Sequence, residues 1–319
     1  MLENFVFCTE RDRNMKVAII GGTGFVGGYL TAALLAAGHS VSLLVRNGSE
    51  AKAQQSESVS TTSGDISSEE ALHSTMAGCS AVIYNVGILR EFPSRGITFE
   101  DVQYQGLVHT IEAARAAGIR RLLLMSANGA KQPGAPYQET KFRAEQFALQ
   151  SGMDVTVLRP SVIFGDPHGK MEFATQLFND MIRPPIPAVS FFSGRSPEKG
   201  AVVMSPVHID DVTSAFVAVL QNDATIGQTY CLGGPEVLTW QTMLRRIADA
   251  TGRKKLILPI PIWIMRVGAA LFDWLPFFPV TRGQLTMLED GNTADPGILE
   301  QLIGQKPRAF TVETLNYLN

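Results

Sequence analysis

Cysteine is scarce. Three occur in 319 residues (Cys8, Cys79 and Cys231), far apart and with no Cys-x-x-Cys pair. That gives no basis for a disulfide framework or a thiolate zinc cluster, and a reducing compartment is the simpler setting. The five histidines, at 39, 73, 109, 168 and 208, have no metal-ligand spacing, so no metal is expected. Positive charge is not in excess either: 27 Lys+Arg against 30 Asp+Glu leave a formal net charge of −3. A broad nucleic-acid footprint needs clustered cations, so no nucleic-acid partner is expected.

Long apolar runs are also missing. The nearest approach is 258–279, which holds Arg266 and Asp273 and is punctuated by prolines at 259, 261, 276 and 279. Its helix-compatible part, 262–275, reaches about 21 Å, short of a hydrocarbon core about 30 Å thick. At the N-terminus the run Phe5-Val6-Phe7 is too short for a signal peptide. Residues 1–14 are expected to be a loose extension, and the cytoplasm is the expected location, with a membrane-peripheral one as the alternative.

What is present is a core-sized hydrophobic content, 45% against 18% charged, and a regular alternation of patterns. Apolar runs at 16–20, 41–45, 81–84, 122–125 and 155–158 suit buried strands. Helical stretches at 25–37, 69–76, 106–117 and 137–150 separate them, several closed by a glycine. A weaker strand is expected near 59–63. This order predicts an α/β fold, a Rossmann-type doubly wound parallel sheet. The pattern fades after Gly165. Residues 183–206 read as loop, and helices are expected at 211–220, at 239–251 and from Thr281 onward, with a turn at Asp295-Pro296. The expected organisation is a dinucleotide domain over 15–165 and a mixed part over 166–319. In that second part a smaller, mainly helical substrate-side region is joined by segments that return to the first domain.

Between the first strand and helix stands GGTGFVGG, residues 21–28. Gly21 suits a tight turn, Gly24 a backbone that a diphosphate approaches, and Gly27 close helix–strand packing. Helix-start N–H groups then face the phosphate charge. Thr23, Phe25 and Val26 complete that turn. The second strand ends at Arg46, with no acid before Glu50. An acid there would take the ribose 2′-hydroxyl of NAD(H), whereas a guanidinium suits a 2′-phosphate, so NADP(H) is favoured and NAD(H) is the alternative. A solvated arginine is the plain reading. Asp65, followed by Ile66, is placed either to accept from an adenine amino group or to serve as a turn or cap residue. Asn85, Val86 and Gly87 follow the fourth strand, where small residues leave room for the ribose and nicotinamide.

Tyr137 and Lys141 stand four apart, on one helix face. A phenol of pKa about 10 is a poor acid–base at neutral pH, and a nearby ammonium lowers it. A surface Tyr and Lys is the alternative. The glycine turn, the Tyr137/Lys141 pair and the Arg-Pro-x-x-x-x-Gly segment at 159–165 together resemble the short-chain dehydrogenase/reductase superfamily in its extended and atypical branches. The segment 208–212 (HIDDV) is similar to that family's later segment. The run 279–288 narrows the likeness to the atypical subgroup of the nucleotide-binding accessory subunit of respiratory complex I.

The resemblance implies that Tyr137 exchanges a proton with a substrate carbonyl or alcohol and that Lys141 tunes Tyr137 and holds the cofactor ribose. It also implies cofactor contacts from Pro160 and Val162. Extended members carry a catalytic Ser or Thr two residues beyond the first serine after the fifth strand. Here that place is Asn128, with Ser126 earlier than expected, so either is the candidate for the substrate oxygen. An NAD(P)(H)-dependent oxidoreductase or epimerase acting on a small molecule is therefore expected, with a cofactor-holding accessory subunit or assembly factor as the alternative. The apolar segment 262–275 is either a core helix, a lid for a quinone- or isoprenoid-like substrate, or a membrane-surface contact, and a respiratory complex is the alternative partner for the protein as a whole. Arg159 serves equally as an anion contact or a structural arginine. Asp210 is expected to cap the helix after His208. The oligomeric state is left open.

Overall fold

The computed structural model describes residues 14–194, 196–272 and 282–319. The extension 1–13, with Cys8, and positions 273–281 of the apolar run lie outside the described residues. The strands are β1 (Lys16–Ile20), β2 (Ser40–Val45), β3 (Val59–Ser63), β4 (Ala81–Tyr84), β5 (Arg121–Met125), β6 (Asp154–Pro160), β7 (Ile163–Phe164), β8 (Ala188–Phe192), β9 (Val203–Met204), β10 (Val207–His208), β11 (Thr229–Leu232), β12 (Leu238–Thr239) and β13 (Ile257–Pro261). The helices are α1 (Phe25–Ala36), α2 (Glu69–Met76), α3 (Gly106–Ala116), α4 (Pro136–Leu149), α5 (Phe173–Leu177), α6 (Ile209–Leu220), α7 (Trp240–Ala250), α8 (Ile262–Phe272), α9 (Arg282–Asp290) and α10 (Pro296–Ile303).

The central sheet has seven strands in the order β11-β6-β5-β4-β1-β2-β3. The pairs β3–β2, β2–β1, β1–β4 and β4–β5 run parallel. This is the expected doubly wound sheet, and its order reverses between β1 and β4, the crevice where such sheets take ligands. No helix among the described residues is long and apolar enough to cross a membrane.

Two compact units share the chain. Among the described residues the first comprises 14–125, 144–157 and 213–229. On one side of its sheet Ala18, Ile20, Val82, Tyr84, Leu122 and Leu124 pack with α2 and α3 residues Leu72, Met76, Leu107 and Ile111. The inner strands β1, β4 and β5 are largely apolar and buried, as suits a sheet covered on both faces, whereas the edge strand β3 (VSTTS) keeps exposed positions. Arg121 is the exception inside this apolar frame. Its guanidinium donates to the carbonyls of Asp154 (2.9 Å) and Val219 (2.6 Å) and to Thr225 Oγ1 (3.1 Å), joining β5, β6 and the end of α6. Burial lowers its pKa, against the pull of Asp223 and Asp154.

The second unit comprises 126–143, 158–212 and 230–319. Its core gathers Phe164, Phe191, Trp240, Met243, Ile247, Leu285 and Phe310. Here the loop expected over 183–206 is corrected: β8 pairs in parallel with β13, Ala188 opposite Ile257 through Phe192 opposite Pro261. Prolines at 259 and 261 are tolerated because a two-stranded pair leaves each strand an open edge. Asp210 is not the cap of α6, which already begins at Ile209. The neighbouring Asp211 is fully buried and accepts from the Arg308 backbone N–H (2.6 Å) and guanidinium (2.8 Å), so the acidic pair anchors the C-terminal segment. The turn at Asp295-Pro296 is present as a helix start, with the Asp295 side chain capping α10.

Candidate cofactor and catalytic site

The glycine turn lies in the first unit, between β1 and α1. Gly21 has φ +96°, a conformation that side chains rarely adopt, and a Cβ there would sit 2.4 Å from the Asn85 carbonyl oxygen. A Cβ on Gly27 would lie 2.2 Å from the Gly21 oxygen and 2.6 Å from Gly22 Cα, so only glycine lets α1 start this close to β1. Gly24 differs. It is exposed, and its added Cβ would have one neighbour within 4 Å, the Gly21 oxygen at 3.5 Å. It is also the N-cap residue of α1, with no side-chain cap and no acid in the first turn. Open space therefore faces a helix start whose N–H groups favour an anion. A dinucleotide diphosphate fits this arrangement.

Around that turn, Thr23, Phe25 and Val26 are half-buried. Asn85 donates from Nδ2 to the Gly21 carbonyl at 3.5 Å and from its backbone to Ile20 at 2.9 Å, holding the β4 end against the turn. Val86 packs against the first core and Gly87 is exposed. Asp65 accepts from the Ser67 backbone (3.1 Å) and hydroxyl (2.9 Å) through Oδ1, the turn role weighed for it, while Ser68 caps α2. Ile66 packs over Gly106. Arg46 is exposed just past β2. The nearest acid, Glu50, is held below the usual carboxylate range by its own backbone N–H, by the Ser63 hydroxyl at 2.9 Å and by Gly48.

The second unit holds the other candidates. Tyr137 and Lys141 lie in the first two turns of α4. Lys141 is buried at 5% exposure. Tyr137 is half-buried, and burial pushes its phenol up to about 12. The direction is opposite to the downward shift expected from Lys141, because burial disfavours the charged phenolate. Ser126 is the first residue past β5. Its side chain is 4% exposed and its Oγ has no hydrogen-bond partner, although its N–H is bonded to Leu158. A buried hydroxyl left unpaired costs about 1–3 kcal/mol.

Asn128 is otherwise engaged. Its Nδ2 donates to Asn292 Oδ1 (2.9 Å) and to the Thr293 carbonyl (2.8 Å). Ser161, beside Pro160 and Val162, donates to the Asn292 carbonyl at 2.9 Å. Gln138 Nε2 reaches Asp290 (3.0 Å) and the Gly129 carbonyl (3.0 Å), and Lys131 pairs with Asp290 at 2.7 Å. Burial raises the Asp290 pKa, but bonds from Lys131 and Gln138 and the Lys131 charge outweigh it and hold the carboxyl below its ordinary value. Sequence reasoning passed over Gln138, Asp290 and Asn292. The Asn128–Asn292 and Gln138–Asp290 bonds join residues more than 150 positions apart, and no local pattern marks such a clamp.

The chain is 26% identical over 84% of its length, and 83% of the relative's, to the 4-hydroxy-2-methyl-3-oxo-4-farnesyl-3,4-dihydroquinoline-1-oxide ketoreductase of Stigmatella aurantiaca. It is 27% identical over 86% of its length, and 68% of the relative's, to NADH dehydrogenase [ubiquinone] 1 alpha subcomplex subunit 9, mitochondrial, of Arabidopsis thaliana. The crystal structure of gox2253 shares the fold, with TM-score 0.75 at 22% identity over 96% of this chain and 97% of that one. The family model described as NAD(P)H-binding matches residues 21–182, more than half of the chain, and the protein belongs to that NAD(P)H-binding family.

Proposed function

We propose that the chain is an NADP(H)-dependent oxidoreductase that reduces a carbonyl of an apolar, quinone- or isoprenoid-like small molecule. The observation that carries this reading is the buried, unpartnered Ser126 hydroxyl at the carboxyl end of β5, the edge of the sheet where doubly wound folds act on ligands. The glycine turn with Thr23, Phe25 and Val26 holds the diphosphate. Asp65 and Ile66 flank the adenine, while Asn85, Val86, Gly87, Pro160 and Val162 flank the nicotinamide end. When bound, the nicotinamide supplies the hydride. Ser126 donates to the substrate oxygen, Tyr137 gives it the proton, and Lys141 holds the ribose. Epimerisation uses the same parts. The farnesylated ketone in the name of the Stigmatella aurantiaca relative supports an apolar substrate.

Two variants separate the roles of Ser126 and Asn128. Ser126→Ala is expected to lower kcat about 10- to 100-fold, the loss of one or two oxygen-stabilising bonds, with the melting temperature unchanged or raised. Asn128→Ala is expected to lower the melting temperature, by about 1–3 kcal/mol of stability, with kcat less affected. The reverse pattern would assign the substrate oxygen to Asn128. Arg46 sets cofactor choice in this reading. Arg46→Asp is expected to weaken NADPH about 10- to 100-fold, the loss of a charge-assisted contact, and to leave NADH equal or tighter in calorimetry. Equal affinities of the wild type for both nucleotides would remove the argument from Arg46.

A second reading is a non-catalytic, cofactor-holding subunit or assembly factor in contact with a respiratory complex. It is favoured by the engagement of Asn128 with Asn292 and by the likeness to the Arabidopsis thaliana subunit. Tight NADPH binding without turnover on any quinone or ketone offered would select it.

A further inference from the structure

We propose that one face of the second unit docks on the surface of an anionic lipid bilayer. The face begins with α8. This helix buries Ile262 and packs Met265 on the core, but turns Trp263, Ile264 and Val267 to solvent at 62%, 45% and 53% exposure. At about 100° per residue these three positions fall within one arc of the helix. The strand leading into α8 adds exposed Leu258, and Leu256 just before it is 64% exposed. Leu256 also lines an open cleft of ≈ 460 Å³, together with Arg183, Ile186, Arg253, Lys254 and Lys255 among others. The Lys255 ammonium donates to the Pro184 carbonyl, which ties the two walls of the cleft together.

Charge decides what covers this face. Residues 182–187 and 253–267 contain no Asp or Glu. Among the described residues, Arg183, Arg253, Lys254 and Lys255 make no ion pair, whereas Arg266 is taken by Glu289. The chain as a whole carries −3. An anionic surface therefore repels the rest of the protein and attracts this patch, which sets an orientation as well as an affinity. Exposed Trp, Ile and Leu in one segment with Arg and Lys that have no carboxylate partner is the composition of segments that lie in the headgroup region, where the rings enter the interface and the cations meet lipid phosphates. No helix among the described residues is long and apolar enough to cross a membrane, so the face is read as lying on the bilayer.

The test reads no turnover, so it stands or falls apart from the assigned reaction. The full chain is sedimented with vesicles of phosphatidylcholine alone and with vesicles that also carry phosphatidylglycerol. Binding is expected only to the second, and is expected to fall as salt shortens the reach of charge. Each cation near such a surface raises partition about fivefold, so Arg253→Gln with Lys254→Gln is expected to lower it roughly 25-fold. Trp263→Ser is expected to weaken it without changing its salt dependence. Unchanged melting and unchanged NADPH affinity confirm that both variants are folded, because neither touches the glycine turn. Equal binding to neutral vesicles, or none to either kind, overturns the proposal. Release by inorganic phosphate at constant ionic strength would make the cleft a free-anion site and also overturn it. So would dimerisation abolished by Trp263→Ser, which would assign the face to a second copy.

Discussion

Replacing Tyr137 by Phe is expected to lower kcat for carbonyl reduction about 10²- to 10⁴-fold, the range for removing a positioned proton donor, while NADPH affinity stays within a few-fold. The substitution deletes one hydroxyl and keeps the ring that α4 presents. Burial pushes that phenol up to about 12, so it is protonated throughout the neutral range. Reduction is therefore expected to be level in pH until the phenol ionises, and the reverse, oxidative direction to rise with pH as phenolate forms. The stability effect has a definite sign. With the folded pKa above the ordinary value of about 10, Tyr137 stabilises the fold fully below that value, and the contribution is lost as pH rises toward 12. Tyr137→Phe should then flatten part of the alkaline unfolding curve. Initial-rate kinetics, nucleotide titration and alkaline melts read these three outcomes. Full activity of the variant on every substrate that the wild type reduces would remove Tyr137 from the mechanism.

The second large effect separates cofactor binding from folding within one turn. Gly24→Val is expected to leave the melting temperature nearly unchanged and to weaken NADPH about 100-fold or more. Its backbone, φ −71° and ψ 179°, suits any residue, and the nearest atom to an added Cβ is 3.5 Å away. The valine instead fills the space that the diphosphate needs, and losing two charge-assisted bonds of about 1.5–3 kcal/mol each accounts for the affinity. Gly27→Ala is expected to do the opposite. Its Cβ would stand 2.2 Å from a backbone oxygen, and overpacking of this kind costs about 1–3 kcal/mol or more. Melting of the cofactor-free protein and calorimetry on each variant distinguish the two. A Gly24→Val protein that binds NADPH like the wild type would show that the diphosphate lies elsewhere.

These predictions differ in how far they were legible beforehand. The three glycines stand within seven residues, between an apolar run and a helical one, so their roles depend on short-range backbone geometry that a sequence displays. Tyr137 and Lys141 are four apart on one helix, again a local relation. The phenol's raised pKa was not legible, because desolvation depends on what the whole fold packs around a side chain. Nor could the spacing of Ser126 and Asn128 decide between them. The hydroxyl was distinguished by lacking a partner and the amide by having two, Asn292 and Thr293, brought from the far end of the chain.

The sequence by itself determined the doubly wound sheet, the glycine turn and the helix that carries Tyr137 and Lys141, because periodicity, glycine sterics and i,i+4 spacing act between neighbours along the chain. Tertiary structure alone decided the pairing of β8 with β13, the anchoring of Arg308 by Asp211, and the clamp of Asp290 and Asn292 on the loop after β5. It also decided which faces of α8 meet the core and which meet water. Each of these joins or compares residues far apart in sequence. Their partners are selected by the burial of the whole core, and no stretch of a dozen residues carries that information.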